Sequence, residues 1–250
     1  MATMYVVAGP SGSGKSSVVS ASKFGVDYFN ADDVAAIFNG PNKHLLTAEH
    51  KHMIITGNFG KLPGEIFNSR NYHHINPELR KSVVNPLCEA FIKYHIDSKT
   101  SFATETTLRN KIAIEQMKEA KADGFRTEMI FISTDNVEIN IERVMDRSDY
   151  GGHSATEGKI REVYESSMKN IYDAIPVADN LKFYDNSKDV FDRNKKIEPF
   201  LELEGNKKIK EIDDIPLWGK NIINHIEKQL EIQNKIEENK NIDHGMGMGF

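Results

Sequence analysis

The 250-residue sequence predicts an α/β protein with a mostly parallel five-stranded core sheet. Two observations predict it. Short apolar runs alternate with longer helical periods, the pattern of strands joined by crossover helices. The first of these runs, TMYVVA at 3–8, passes straight into a glycine-rich turn and then a helical period.

Strands are expected at 3–8, 26–30, 100–105, 127–133 and 181–185, where apolar and β-branched or aromatic residues cluster between turn signals. Helices are expected at 15–22, 33–38, 77–97, 108–123, 136–146 and 155–175. The last is the best defined. Ser154 and Glu157 stand at capping-box spacing, and Ile160, Val163, Tyr164, Ser167, Met168, Ile171, Tyr172 and Ile175 follow the 3.6-residue period. Residues 39–75, rich in Asn, Gly, Pro and His, interrupt this order as an insertion. Residues 200–212 alternate around Gly205-Asn206, a hairpin signal. Residues 215–240 predict a polar amphipathic helix with Ile222, Ile226, Leu230 and Ile236 on or near one side. The final HGMGMGF is expected to be disordered. The organisation is thus a main domain over 1–213 and a helical extension with a flexible tail over 214–250.

Composition narrows the function classes. Lys and Arg number 32 against 37 Asp and Glu, a net charge of -5, which provides no cationic field for nucleic acid or a membrane surface. Cys88 is the only cysteine, which excludes an internal disulfide framework and fits a reducing cytoplasm. No run approaches the ~20 apolar residues of a membrane span. The TMYVVAG run lacks a basic leader and is a buried strand, not a signal peptide.

GPSGSGKS, Gly9 to Ser16, matches G-x-x-x-x-G-K-[ST] between a predicted strand and a predicted helix. Glycines let backbone N–H groups turn inward around phosphate oxygens, and the helix start adds a favourable dipole. Gly9, Pro10, Ser11, Gly12, Ser13, Gly14, Lys15, Ser16 and the following Ser17 are therefore the expected nucleotide-binding set. Lys15 reaches the β- and γ-phosphates of ATP, and the Ser16 hydroxyl holds Mg²⁺. Neither a guanine-reading N-K-x-D nor a run of four apolar residues ending in Asp is found. A small-molecule kinase requires neither.

Two carboxylates fall at strand ends, which in an open α/β sheet face the ligand crevice. Strand 26–30 leads into NADD, so Asp32 either orients an acceptor hydroxyl or serves as a helix cap, and Asp33 is the better cap. Strand 100–105 ends in Glu105, placed to bind substrate hydroxyls or a metal-bound water. Thr106 and Thr107 follow, either as donors to the acceptor or as caps of the next helix.

Arg143 and Arg147 share a helix face. Arg161 lies on the margin of the apolar stripe of 155–175, between Met168 and Tyr172, as a phosphate clamp or a snorkelling side chain. Gly151 and Gly152 between them suit a lid that closes arginines over phosphates. His153 is expected to be a structural hydrogen-bonding residue. The histidines of 44–95 show no recognised ligand spacing and are expected at the surface.

GPSGSGKS, NADDVA, FATETTL, RVMDRSDYGGHSATEGKIREVYESSMKNI, KFYDNS and LELEGNKKI, in this order, make residues 3–213 resemble the zeta-toxin family of P-loop kinases, in particular its broad branch of zeta-like ATPases. The resemblance implies a P-loop kinase-like three-layer sandwich with an arginine-bearing lid. It implies ATP- and Mg²⁺-dependent phosphorylation of a small-molecule hydroxyl, with UDP-N-acetylglucosamine the acceptor of the known toxins, and an antitoxin protein as a possible partner. On that basis Asp32 is the acceptor-hydroxyl base, Glu105 and Thr107 are substrate-side, and Arg147 and Arg161 clamp phosphate. Asp185 to Ser187, with Asn186 in the cofactor set, lie by the nucleotide base or support its loop. The chain departs from the family in Ala155-Thr156, where relatives carry Val-Pro, and in its sparser arginines at 161–164. A slow ATP-hydrolysing switch and a polynucleotide 5′-kinase are the competing functions.

Overall fold

The register of five parallel strands decides where every candidate residue lies. In the computed structural model, which describes residues 1–19, 23–40, 43–58, 61–63, 77–149, 155–188, 197–205 and 207–246, β1 (Thr3–Ala8) is the central strand. Side chains at 77, 147–149, 233–234 and 237–246 are outside that description. On one side of β1 lies β3 (Phe102–Thr106), then β2 (Asp27–Phe29); on the other lies β4 (Arg126–Ser133), then β5 (Asn180–Asp185). All these pairings are parallel. An antiparallel hairpin, β6 (Leu201–Glu204) and β7 (Lys207–Glu211), extends the sheet from β5, as the alternation around Gly205 predicts. Among the described residues the sheet therefore has seven strands, five of them parallel.

Among the described residues eight helices accompany it: α1 (Lys15–Val18), α2 (Ala31–Asn39), α3 (Ala48–Ile55), the composite α4, α5 (Ile112–Ala122), α6 (Val137–Asp149), α7 (Glu157–Ala174) and α8 (Leu217–Met246). The composite α4 consists of Pro77–Leu79, a π-helical turn Arg80–Val84, and Asn85–Asp97. Among the described residues no helix is long and apolar enough to cross a membrane.

Side chains alternate across the pleat. Met4, Val6 and Ala8 of β1, Met129 and Phe131 of β4, and Leu181 and Phe183 of β5 join a large core with helices α2 to α5, α7 and α8. Val7, Ile130, Ile132 and Tyr184 point the other way into a much smaller cluster with Val19. At ~25 cal/mol per Å² of buried apolar area, the first face carries most of the hydrophobic stabilisation. Trp218, Ile222, Ile223 and Ile226 of α8 are part of that large core.

Four local expectations are corrected. The insertion at 39–75 is not simply a polar loop: Lys43–Leu45 forms a 3-10 turn and α3 buries Ile54 completely against the main core. Thr47 and His50 form a capping box that starts α3, each side chain engaging the other's backbone N–H. Helix α7 starts at Glu157 with Thr156 as its cap, accepting from the Lys159 amide, so the Ser154–Glu157 box does not set its start. Asp33 does not cap α2; Asn30 does, its Oδ1 accepting from the Asp32 and Asp33 amides at 2.8 and 3.2 Å. Helix α8 runs on to Met246, so the start of HGMGMGF is helical.

Candidate functional site

The turn after β1 is gripped by two polar side chains from elsewhere in the fold, and two more brace one of them. Gly12 and Gly14 have φ of 79 and 81, the left-handed region in which other residues are strained. A Cβ on Gly12 would lie 2.5 Å from the Asn140 carbonyl oxygen, and one on Gly14 would overlap the Asn186 amide. Both asparagines grip the loop. Asn140, fully buried on α6, donates from Nδ2 to Ser11 O at 2.7 Å, and Asn186, just past β5, donates to Ser13 O at 2.9 Å. Thr134 Oγ1 donates in turn to Asn140 Oδ1, and Tyr164 of α7 donates to Thr134 O at 2.6 Å. Burial pushes the Tyr164 hydroxyl above its ordinary pKa, so it remains a donor.

The Ser11 and Ser13 carbonyls are thereby pinned. Among the described residues nothing accepts from the amides of Gly12, Gly14, Lys15 or Ser16. The buried Ser13 Oγ likewise has no partner. Such a concentration of unsatisfied donors is unfavourable unless an anion meets it. Lys15, 8% exposed, donates to Gly9 O and Pro10 O at 3.0 and 3.2 Å. Ser16 and Ser17 are exposed on the first turn of α1. These residues fit a nucleotide triphosphate tail, with the Ser16 hydroxyl open to a metal ion.

Register brings the two strand-end carboxylates to the same edge. Val7 pairs with Glu105 and Phe29 with Thr104, so Asn30, one residue beyond Phe29, stands beside Glu105. Asn30 Nδ2 donates to Glu105 Oε2 at 3.1 Å, and Tyr28 Oη donates to the same oxygen at 2.8 Å. The other oxygen, Oε1, lies 3.8 Å from Lys15 Nζ. Burial, reinforced by the Glu105 charge and hydrogen bond, raises the Tyr28 pKa far above the phenol range and keeps it a donor. Asn30 thus joins two functions: one end of its amide fixes Glu105, and the other starts the helix that carries Asp32. Arg80, from the π-helical turn, holds Asp32 Oδ1 at 2.5 Å with both side chains partly exposed. Thr107 is half-buried next to these groups in sequence. Thr106 caps no helix; its hydroxyl accepts from the Leu108 amide at 3.0 Å, and α5 begins only at Ile112.

The arginines are dispersed. Arg161 pairs with Glu138 of α6 and Glu157 of its own helix, both at 2.7 Å, rather than with the phosphate loop. Hydrogen bonds from Arg161 hold the Glu138 carboxyl below its ordinary pKa. Arg143 donates to Asn186 O at 2.9 Å, bracing the residue that braces the loop. The side chain of Arg147 and the whole of Tyr150 to Ser154, with the predicted glycine hinge and His153, lie outside the described residues.

The family model for Zeta toxin matches residues 68–201, just over half of the chain. The chain belongs to the zeta toxin family. Its match begins after the phosphate loop and Asp32 and takes in Glu105, Arg147, Arg161 and Asn186. Among solved structures, this zeta-toxin chain is similar to one from the PezAT chromosomal toxin-antitoxin system of Streptococcus pneumoniae. The TM-score is 0.50 at 13% identity, covering 92% of this chain and 85% of that one. It is also similar to the AvrRxo1-ORF1:-ORF2 complex, with TM-score 0.55 at 14% identity over 88% and 63% of the two chains. The form of that complex with ATP gives 0.51 at 16% identity over 84% and 61%. At these identities the likeness shows a shared fold. An uncharacterized protein of Haemophilus influenzae (strain ATCC 51907 / DSM 11121 / KW20 / Rd) is 37% identical over 73 residues, 29% of this chain. The zeta-toxin chain spans about half the length, 49%, of that curated relative.

Sequence reasoning missed Tyr28, Asn30, Arg80, Thr134, Asn140 and Tyr164. Only Asn30 carried a signal: an Asn immediately before a helical period is a strong N-cap candidate.

Proposed function

We propose that the protein is an ATP- and Mg²⁺-dependent kinase that transfers the γ-phosphoryl group to a hydroxyl of a small molecule, with a nucleotide sugar such as UDP-N-acetylglucosamine as first candidate acceptor. One observation carries the reading. A loop of unpartnered amides sits at the same sheet edge as Glu105, 3.8 Å from Lys15, and Asn30 ties Glu105 to the helix bearing Asp32. Donor cradle and carboxylate wall are thus adjacent, as phosphoryl transfer to a hydroxyl requires.

In this reading the amides of Gly12, Gly14, Lys15 and Ser16 hold the phosphate chain, and Lys15 exchanges its loop carbonyls for the β- and γ-oxygens. The Ser16 hydroxyl would hold Mg²⁺, which would supply charge neutralisation. Asp32 accepts the acceptor hydroxyl's proton as the oxygen attacks the γ-phosphorus and the bond to the ADP oxygen breaks. Glu105 and Thr107 orient the acceptor. Arg147 and Arg161 serve as the lid's cations, Arg161 leaving Glu138 and Glu157 on closure. Family membership and the structural likeness to a toxin-antitoxin protein support an antitoxin as a possible protein partner. A cytoplasmic location belongs to the same reading, supported by the free thiol of Cys88.

The test is incubation with ATP and a metabolite extract, followed by mass spectrometry for a gain of one phosphate. Wild type should give a phosphorylated product, while Asp32→Ala should give none and still bind ATP. ADP release without any phosphorylated metabolite would instead point to a hydrolytic switch, and labelling of short oligonucleotides to a polynucleotide kinase.

A further inference from the structure

The C-terminal helix reaches the nucleotide loop through one side chain. Trp218, in the first turn of α8, is 5% exposed and lies across the ends of β4 and β5, 5.9 Å from Phe131 and 5.0 Å edge-on from Phe200. Gly219 permits the approach, since a Cβ there would be 2.6 Å from the Phe200 ring. A buried indole N–H usually finds a hydrogen-bond partner. Here it donates to Asp185 Oδ1 at 3.0 Å.

Asp185 is the last residue of β5, and its neighbour Asn186 holds Ser13 O. The same Oδ1 accepts from Ser187 Oγ at 2.6 Å, and Ser187 Oγ accepts from the Asp135 amide at 2.7 Å. Asn186 N donates to Ser133 O at 2.9 Å. The turns after β4 and β5 are therefore laced together around Asn186, and the indole closes the lacing from outside. The helix that supplies it begins beyond residue 201, where the family match ends.

We propose that Trp218 is a positioning residue for the nucleotide: through Asp185 and the Ser187 turn it fixes Asn186, and through Asn186 the open form of the phosphate loop. The C-terminal segment is then a working part of the nucleotide site, and displacing α8 weakens ATP binding. The inference rests on the phosphate loop binding ATP, as proposed above.

Trp218 is the chain's only tryptophan, so its fluorescence reports this contact alone. ATP titrated into the full chain should change the emission with the same midpoint as the calorimetric Kd. Trp218→Phe keeps an aromatic ring but loses the N–H donor, and should raise the Kd for ATP about fivefold to tenfold. Asp185→Ala should do the same, whereas Asp185→Asn, which retains an acceptor, should restore most of the affinity. Ile222→Ala, one turn along the same helix and fully buried, is the structural control: it should lower Tm while leaving the Kd for ATP unchanged. If the wild type binds ATP, silent Trp218 emission together with an unchanged Kd in Trp218→Phe overturns the coupling alone. So does an equal Kd rise in Ile222→Ala, which would make the effect one of general stability. A wild type that binds no ATP in calorimetry overturns the nucleotide site itself.

Discussion

Replacing Asn140 with Ala tests whether the phosphate loop is held open from behind. Asn140 is fully buried, donates to Ser11 O at 2.7 Å and accepts from Thr134 Oγ1. Alanine leaves the half-buried Ser11 O without this donor, while Thr134 Oγ1 keeps its bond to Asn136 O at 3.1 Å. One orphaned group costs about 1–3 kcal/mol. For a chain of this size 1 kcal/mol corresponds to roughly 2–4 °C in Tm, and a Tm lowered by about 4–8 °C is expected at the centre of that range. The loop also loses one of its two asparagine tethers, so ATP must reorder it; each ~1.4 kcal/mol spent in this way weakens Kd tenfold. Asn140→Asp separates the two effects. The carboxylate still accepts from Thr134 but cannot donate to Ser11 O, and it places a negative charge behind the phosphate site. It should therefore weaken ATP at least as much as Ala does, and more so at low salt. Thermal denaturation and calorimetric titration with ATP measure both quantities. An Asn140→Ala protein with Tm within ~2 °C of wild type and an unchanged Kd would refute the bracing argument.

Three further outcomes are expected. Arg80→Ala breaks a partly exposed ion pair, so Tm should move by no more than ~4 °C; with Asp32 no longer held, acceptor turnover should fall about tenfold or more at unchanged ATP affinity, and unchanged turnover would remove Arg80 from the site. Arg161→Ala should likewise leave Tm nearly unchanged, because its pairs with Glu138 and Glu157 are exposed, yet lower phosphoryl transfer by roughly 10²-fold; full activity would end its assignment as a clamp. His95 is not at the surface, as expected from the sequence, but 1% exposed and hydrogen-bonded through Nδ1 to Thr100 at 2.7 Å; its pKa is lowered by burial, against a smaller opposing pull from Asp27. A lowered histidine pKa means that the unfolded chain takes up protons first, so its stabilising contribution is complete above pH ~6.5 and is lost as pH falls through the folded-state pKa. Tm should therefore drop between pH 7 and 5 more in wild type than in His95→Phe, and identical pH profiles would contradict this.

The strands were legible because their apolar runs stop at turn residues, and strand ends alone located the loop, Glu105 and the helix of Asp32. What decides the loop's conformation was not legible. Asn140 and Ser11 are 129 residues apart in sequence, and Asn186 and Ser13 are 173 apart. No local pattern marks an asparagine whose role is to meet one carbonyl across the fold. The cap of α7 was misplaced for a related reason. Ser154 and Glu157 have the spacing of a capping box, but the backbone turns into the helix at Thr156, whose φ of -64 and ψ of 149 are those of a cap. Sequence composition also hid α3, because a helix with one fully buried residue, Ile54, carries little amphipathic signal among histidines and lysines.

The π-helical turn at Arg80–Val84 has a consequence for insertions and deletions. In an uninterrupted α-helix, residues four, seven and eleven apart share a face, which would align Arg80 with the buried Val84, Leu87 and Phe91. Instead the Asn85 amide donates to Arg80 O, so one extra residue is accommodated in that turn and Arg80 swings toward the exposed line of Asn85. Deleting any one residue from 81–83 would leave Arg80 four residues before Asn85, on the same exposed line of a regular α-helix, so the guanidinium would keep facing Asp32. Forcing the turn into α-geometry at full length would instead rotate everything before it by about 100° and carry the guanidinium toward the core. Homologues that lack the extra residue can present an arginine to the residue corresponding to Asp32 from an unbroken helix.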